Sequence, residues 1–343
     1  MPPPTAHLRY LWCCFLVGCC WPGPAPAQPV SFTLGPFENT ASPLLYAVRL
    51  GNPVFSQPPV VGHDQIDTVV GVAVDAAGNA YIAGLTYSPV FPEAGPVPQL
   101  GSNPNWAYLA KLRPDGREFG YIKILHHGAV GGIASDPAGN VYITGAAAGP
   151  IDPSPPRLVR ARFSDDDLDV FVAKFDPSGN LLWHSYFGGK EWDFATGIAV
   201  DPVGCVYVTG RTPSPDFPVS PKAPGDQYPA TGDYPWAGFV TKLSASGTAI
   251  IYSTYLGGSL WTTPEAIAVD AGGSAFVAGS TSSPDLPVTP GAWRPTLQPP
   301  VIDGHPNADG FVVRLRPDAT GFAYSTYLGG SGGATGIAVD SSG

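Results

Sequence analysis

Runs of four to seven β-branched, aromatic and small apolar residues alternate along the chain with short turns rich in Gly, Pro, Asp and Asn. This alternation is typical of β-strands joined by hairpins. Between residues 170 and 210 it predicts four strands, at 170–175, 181–187, 197–200 and 206–210. The pattern therefore indicates an all-β chain.

The strand pattern recurs five times. A basic residue that ends one apolar strand is followed 25–28 residues later by an Asp that ends another. The pairs are Arg49 and Asp75, Lys111 and Asp136, Lys174 and Asp201, Lys242 and Asp270, and Arg314 and Asp340. Such a repeat indicates an array of one supersecondary unit. Four-stranded units packed around an axis protect their edges, so we predict a β-propeller of four-stranded antiparallel blades.

The predicted propeller has about five repeat units, starting near residues 45, 106, 169, 237 and 309, with the last one truncated. We expect the apolar third strands, such as 198–200 and 267–269, to be almost wholly buried. We also expect that Gly343 is not a natural end of the fold, because the turn at 340–343 has no following strand. Either residues 30–34 supply the missing strand and close the ring, or the chain is a fragment with an open edge.

The repeated Asp residues have a local explanation. In the turn 136–140, Asp136 is placed to accept hydrogen bonds from backbone N–H groups, Pro137 presets its backbone angle, and Gly139 permits positive φ. The same chemistry occurs at 75–78, 201–204 and 340–343. We interpret these Asp residues as turn formers; a ring of metal ligands or catalytic acids is the alternative.

Composition and charge narrow the class of partner. Only 13% of the 343 residues are charged, whereas 43 are Gly and 41 are Pro, which suits a turn-rich β protein. The formal net charge of −10 argues against nucleic acid and anionic membranes as partners.

The first 27 residues are typical of a secretory signal peptide. Arg9 precedes an apolar run at 11–21 that is too short to span a bilayer, and Ala25 and Ala27 form a small-residue cleavage site. The alternative is a lipoprotein signal in which Cys19 carries a lipid anchor. Residues 28–44 would then be an N-terminal segment, with a candidate ring-closing strand, before a repeat domain at 45–343. No other apolar stretch is long enough for a transmembrane helix.

Cleavage at this site would leave Cys205 as the only cysteine, so the mature chain would have no internal disulfide. Cys205 takes the place that Asn79 and Asn140 hold in other repeats. We therefore interpret it as a turn residue and not as a nucleophile.

Several motifs recur in a fixed order and resemble the bacterial β-propeller repeat family known as SBBP. They include Phe-Val-Ala-Lys at 171–174, Gly-Ile-Ala-Val-Asp at 197–201, Val-Tyr-Val-Thr-Gly at 206–210, and Tyr-Ser-Thr-Tyr-Leu-Gly-Gly at 252–258 and 324–330. The resemblance covers about residues 45–343. It implies a propeller exported to the bacterial envelope or medium, and it supplies no catalytic residues.

Candidate chemistry is sparse. The six His residues form no zinc or metalloprotease spacing, and no nucleophile elbow or phosphate loop is present. We predict no catalytic, cofactor or metal residues and no cofactor; calcium near Asp165, Asp166 and Asp167 is a further alternative. Aromatic residues in the long loops are candidates for binding sugar or peptide, unless they only pin their own loops. They are Trp106, Tyr234, Trp236 and Trp293.

The sequence thus predicts a non-enzymatic, exported or cell-surface scaffold that binds a protein or glycan ligand. The alternative is a periplasmic propeller enzyme of lyase or glycoside hydrolase type. That alternative requires two carboxylates outside the turns, or Asp193 with Glu191, to face one pocket.

Overall fold

A computed structural model describes residues 68–86, 90–91, 95–96, 106–125, 128–152, 159–160, 168–231, 235–297, 301–302, 305–306, 308–330 and 332–340. All of them belong to the compact unit Val48–Gly343. The predicted signal peptide, the segment 28–44 and the acidic run 165–167 lie outside the described residues.

The described residues form strands and no helix, so they contain no helical segment of the length and apolarity that crossing a bilayer requires. The strands are β1 (Thr68–Val74), β2 (Ala80–Thr86), β3 (Val90–Phe91), β4 (Gly95–Pro96), β5 (Trp106–Leu112), β6 (Phe119–Leu125), β7 (Gly128–Ser135), β8 (Val141–Ala147), β9 (Val159–Arg160), β10 (Asp169–Phe175), β11 (Leu181–Phe187), β12 (Phe194–Val200), β13 (Val206–Thr212), β14 (Ala237–Leu243), β15 (Ile250–Leu256), β16 (Thr262–Val269), β17 (Ala275–Thr281), β18 (Val301–Ile302), β19 (His305–Pro306), β20 (Asp309–Leu315) and β21 (Phe322–Tyr327).

Four sheets of four antiparallel strands make up the architecture. Their strand orders are β1-β2-β5-β6, β7-β8-β10-β11, β12-β13-β14-β15 and β16-β17-β20-β21. The second sheet has β9 as an additional parallel strand beside β11, and β3-β4 and β18-β19 are small separate ribbons. This arrangement confirms the predicted all-β propeller of four-stranded blades.

Each sheet begins halfway through a repeat unit of the sequence. The unit that starts near residue 169 contributes β10 and β11 to the second sheet but β12 and β13 to the third. The long Pro-rich loop joins the second and third strands of one sheet, as the pairing of Thr212 with Ala237 across the third sheet shows. The predicted unit starts are therefore not blade boundaries, because the strands on either side of each long loop hydrogen-bond to each other.

The first strands of the sheets, β1, β7, β12 and β16, pack side by side. Ile198 and Ile267 are only 7% and 8% exposed, whereas Val200 and Val269 are half-buried. The expectation that these strands are almost wholly buried is thus only partly right. Each one is hydrogen-bonded on one side alone, so alternate side chains keep some accessible surface.

Each repeated Asp closes its own hairpin and also joins two strands. Asp136 accepts hydrogen bonds from the backbone N–H groups of Ala138 at 3.0 Å and Asn140 at 2.9 Å, and from the Tyr142 hydroxyl at 3.0 Å. Lys174 Nζ lies 3.8 Å from the same carboxylate. Burial raises the pKa of Asp136, but the Asn140 and Tyr142 hydrogen bonds and the Lys174 charge outweigh it and hold that pKa below its usual value. The turn-forming interpretation is confirmed.

The same contact recurs at the next two turns. Lys242 Nζ is 3.7 Å from Asp201, and Arg314 donates a hydrogen bond of 2.8 Å to Asp270. In these three cases the basic residue of one unit pairs with the turn Asp of the unit before it. Lys111 differs, because its Nζ donates to the Pro177 carbonyl at 2.8 Å.

Residues 332–340 include the segment that the sequence predicted as a fifth inner strand. They form no strand, although the Ala334 N–H donates to the Gly279 carbonyl at 3.2 Å. The first strands of the four sheets, β1, β7, β12 and β16, each hydrogen-bond to the second strand of their sheet. Residues 332–340 have no such partner strand among the described residues. The candidate closing strand at 30–34 lies outside the described residues.

Candidate functional site: an aromatic–arginine cluster on the third sheet

Three aromatic side chains and one arginine meet at one end of the third sheet. We call Trp192, Phe194, Arg211 and Trp236 the aromatic–arginine cluster. Phe194 opens β12 and pairs in register with Arg211 near the end of β13, while Trp236 directly precedes β14. The cluster is thus assembled from three neighbouring strands.

The rings are in mutual contact. The Phe194 ring centroid lies 5.9 Å from that of Trp236 and 6.4 Å from that of Trp192. The Arg211 guanidinium carbon is 4.9 Å from the Trp236 centroid and 5.6 Å from the Phe194 centroid, within the range of cation–π attraction. Trp192 is 50% exposed, so the cluster presents an aromatic surface to solvent.

The charge of Arg211 is not neutralised by an ion pair with any residue in the described part of the chain. Its Nε is buried and has no hydrogen-bond partner there. Glu265 on β16 interacts electrostatically with Arg211. Burial raises the pKa of Glu265, and the positive charge of Arg211 opposes this rise. The cluster therefore combines exposed aromatic surface with an uncommitted cation.

The predicted loop aromatics do not form a common surface in the described residues. Trp236 is part of the cluster. Trp106 is buried, at 4% exposure, and lies within β5. Trp293 is 70% exposed and stacks with Arg294 at 4.9 Å, while Tyr234 lies outside the described residues. Sequence reasoning did not find Trp192, Phe194 or Arg211 because only the strand register brings them together.

A pair of carboxylates is buried beside the connection from the second sheet to the third. Asp169 opens β10, and Asp193 directly precedes β12. A Cβ atom built on Gly188 would lie 1.7 Å from Asp169 Oδ1 and 2.6 Å from Asp193 Oδ2, so these two distances place the oxygens no more than about 4.3 Å apart. Asp169 and Asp193 are only 1% and 0% exposed.

The Asp193 carboxylate has several hydrogen-bond donors, among them the Thr212 side chain, which lowers its pKa against the effect of burial. Its Oδ2 accepts hydrogen bonds from the Gly189 N–H at 2.6 Å and the Ser214 hydroxyl at 3.5 Å, while Oδ1 has no partner among the described residues. Burial raises the pKa of Asp193 to about 7, and the nearby Asp169 charge adds to the rise. Glu191 is exposed and the carboxylate near Asp193 is Asp169, so the pair of Asp193 with Glu191 that would have favoured the enzyme alternative is not formed.

The described clefts lie elsewhere. One of about 310 Å³ is formed between loops and includes Gly225, Asp226, Tyr255 and Phe322. Another of about 270 Å³ includes Lys123, Ile151 and Asp152. Neither is lined by Asp169, Asp193 or the aromatic–arginine cluster. The two buried carboxylates consequently do not face either cleft.

The described part of the chain contains no group of three His, Cys, Asp or Glu side chains arranged to hold a metal ion. Cys205 lies in a turn, where its N–H donates to Asp201 at 2.8 Å. Burial raises the pKa of its thiol, and the Asp201 charge adds to this. A raised pKa disfavours the thiolate, in agreement with the interpretation of Cys205 as a turn residue.

Comparison with known proteins gives a family and two solved structures. The model of the SBBP beta-propeller repeat matches residues 46–92, 182–218 and 251–287. The gluconolactonase of Xanthomonas campestris is 12% identical, with 80% of this chain and 66% of that one covered and a TM-score of 0.37. A second protein, solved by structural genomics and assigned as a gluconolactonase, is 18% identical, with 60% and 53% covered and a TM-score of 0.27. The chain spans less than two thirds of the length of either structure. No curated protein matches.

These comparisons correct one prediction. The sequence predicted that the chain is not an enzyme, and this prediction is wrong because both similar solved structures bear the name of an enzyme. At 12% and 18% identity the likeness transfers neither an activity nor a catalytic residue to this chain. The three regions that match the SBBP beta-propeller repeat agree with the four-stranded sheets of the structure.

Proposed function

We propose that this chain is an exported β-propeller that binds a glycan at the aromatic–arginine cluster. The observation that carries the proposal is the half-exposed Trp192 packed against Phe194, beside a guanidinium with no ion-pair partner in the described residues. The apolar C–H face of a sugar ring packs on an aromatic face, and a charged side chain next to it fixes the orientation of the sugar.

The shape of the site favours a glycan over a folded protein partner. A stable protein interface buries roughly 1,200–2,000 Å² in total, far more than a few side chains supply. A sugar of one to three residues, in contrast, matches a cluster of four side chains. The apolar run at 11–21 and the small residues Ala25 and Ala27 support export to a place where glycans are exposed.

A glycan array probed with the full chain, recovered after export, tests the proposal. We expect binding to a defined set of glycans and a loss of about tenfold or more in affinity for Trp192→Ala, since truncation of an aromatic anchor costs roughly 1–2 kcal/mol or more. Trp293→Ala is the matched control, because it removes an exposed tryptophan outside the cluster. Its affinity should equal that of the wild type.

Two results would overturn the proposal. One is the absence of any glycan ligand, or an equal loss in Trp192→Ala and Trp293→Ala. The other is a peptide that binds and is released by Trp192→Ala, which would make a protein the ligand. The mass of the exported chain tests whether the protein is secreted. Loss of residues 1–27 would support secretion, whereas a lipid on Cys19 would show a membrane-anchored lipoprotein.

A further inference from the structure

Arg211 differs from the other basic residues of the repeats in what it contacts. Lys174, Lys242 and Arg314 each lie within 4.0 Å of a turn Asp, and their charges are thereby committed to the fold. Arg211 also lies over aromatic faces, as those three residues do, but it has no carboxylate within that distance in the described residues. Among the described residues its charge is therefore not paired.

The next sheet shows that a blade does not need this cluster. In the third sheet Phe194 pairs with Arg211, and in the fourth sheet the matching pair is Thr263 with Ser280. The two pairs occupy the same register positions of the first and second strands. Small polar residues therefore build the same sheet, so the aromatic–arginine cluster is an addition to the scaffold.

The chemistry of the guanidinium selects the ligand. It is planar and always charged, and its fork of N–H donors matches the two oxygens of a carboxylate. Stacking on Trp236 and Phe194 holds the plane of the group in place. Because the chain has a net charge of −10, its overall field opposes the approach of an anionic ligand, and the local contact with Arg211 must outweigh that repulsion.

Resting on the proposed glycan binding, we propose that Arg211 binds the carboxylate of a uronic acid residue in an acidic glycan. The sugar ring packs on the exposed surface of Trp192, and the carboxylate receives N–H donors from Arg211. The class of ligand is thus an oligosaccharide of uronic acids and not a neutral one.

Calorimetric titration of the full chain with a galacturonic acid trisaccharide, and with its methyl ester, tests this proposal. The ester keeps the ring and removes the charge. We expect the acid to bind at least about tenfold more tightly than the ester, because hydrogen bonds to charged groups contribute about 1.5–3 kcal/mol. We also expect Arg211→Ser to weaken binding of the acid by about 10- to 100-fold and to leave the ester unchanged.

Two further variants keep the test specific. Arg211→Lys retains charge without the fork and should fall between wild type and Arg211→Ser. Arg294→Ser removes an arginine that is stacked on Trp293 outside the cluster, and it should bind the acid as the wild type does. Serine is the residue that the fourth sheet has at the matching position, Ser280, so Arg211→Ser should fold. Thermal unfolding of the variant checks this.

The outcomes separate this inference from the proposed function. If acid and ester bind equally, or Arg211→Ser weakens both alike, the carboxylate contact is wrong while glycan binding stands. If a sulfated oligosaccharide binds and the uronate does not, the uronic acid assignment is overturned. If no glycan of any charge binds, the proposed function itself fails.

Discussion

Two junctions between neighbouring sheets follow the same backbone path with different side chains. The first junction joins the second sheet to the third, and the second junction joins the third sheet to the fourth. At the first junction Asp169 opens the third strand of one sheet and Asp193 precedes the next sheet. At the second junction the matching residues are Ala237 and Thr262. A buried pair of acids in one place is thus replaced by a methyl group and a hydroxyl in the other.

The residue that matches Asp193 at the second junction, Thr262, forms its hydrogen bonds with neutral hydroxyl groups. Thr262 Oγ1 forms a hydrogen bond of 2.8 Å with Thr281 Oγ1 and lies 3.5 Å from Ser283 Oγ. A hydroxyl both donates and accepts, so such a network is closed at any pH. Two ionised carboxylates can only accept and repel each other, so close burial favours a state in which one of them holds a proton. The difference shows that the propeller tolerates the acid pair but does not require it.

The largest expected effect is a dependence of stability on pH that is confined to the first junction. The pKa of Asp193 is raised from 3.8 to about 7 in the folded chain. Its stabilising contribution is therefore fully present below about pH 4 and lost as the pH rises through about 7. Asp193→Thr, which installs the residue of the second junction, should gain up to about 4 kcal/mol over the wild type between pH 4 and pH 8. Urea unfolding at several pH values measures this difference.

The turn carboxylates act in the opposite direction and do not confuse the test. Hydrogen bonds hold the pKa of Asp75 and of Asp270 below the usual value against the effect of burial, so their contribution is lost as the pH falls below about 4. The wild type and Asp193→Thr both contain Asp75 and Asp270. The contributions of these two residues therefore cancel in the difference between the unfolding free energies of the two proteins. A difference that does not change with pH would show that Asp193 is not protonated in the folded state.

A smaller effect is expected at Gly188, which lies against the acid pair. A Cβ added there would lie 1.7 Å from Asp169 Oδ1, so Gly188→Ala should cost about 3 kcal/mol through forced displacement of buried groups. Combining it with Asp169→Ala, the residue of the second junction, should recover part of this loss. Gly321→Ala is the control: a Cβ there has no atom within 4 Å and should change stability by less than about 0.5 kcal/mol.

Thermal or urea unfolding of the wild type, Gly188→Ala, Asp169→Ala and the double variant measures the coupling between positions 188 and 169. If Gly188→Ala is as well tolerated as Gly321→Ala, the close packing of Gly188 on Asp169 is wrong. If Asp169→Ala gives no recovery in the double variant, the clash does not involve that carboxylate.

The smallest effect should be equal at the two junctions. Asp216 accepts a hydrogen bond of 3.0 Å from the Lys190 N–H, and Asp285 accepts one of 2.8 Å from the Ser259 N–H. Both residues are exposed, so Asp216→Asn and Asp285→Asn should each cost no more than about 1 kcal/mol, and by similar amounts. Chemical unfolding at pH 7 tests this equality. A much larger loss in one variant would show that the junctions differ beyond the buried acid pair.

The repeated elements could be predicted because their chemistry is local. A turn such as 136–140 places Asp, Pro and Gly within five residues, and the hydrogen bonds it forms lie within the turn itself. The repeat-unit starts do not mark the blade boundaries, because a blade boundary depends on which strands pair. The ends of the loop between Thr212 and Ala237 are hydrogen-bonded neighbours, and no local pattern distinguishes this arrangement from a connection between sheets.

The site was predicted less well, for a related reason. Trp236 was found as a loop aromatic, but Arg211 has an ordinary sequence context and acquires its role only from register with Phe194. Asp193 was noted as a potential acid, and the structure gave it Asp169 as its neighbour instead of Glu191. Phe194 lies 17 residues from Arg211 and Asp169 lies 24 residues from Asp193, so neither contact leaves a signal in the local sequence.

The sequence by itself determined the strands, the hairpin turns and their repetition, because backbone propensity and turn chemistry act over a few residues. The tertiary structure alone decided that Lys174 reaches back to Asp136, that Phe194 meets Arg211, and that two acids share one buried space. These contacts depend on sheet register and on the packing of one sheet against the next. Both are set by the simultaneous burial of residues that are distant in the chain.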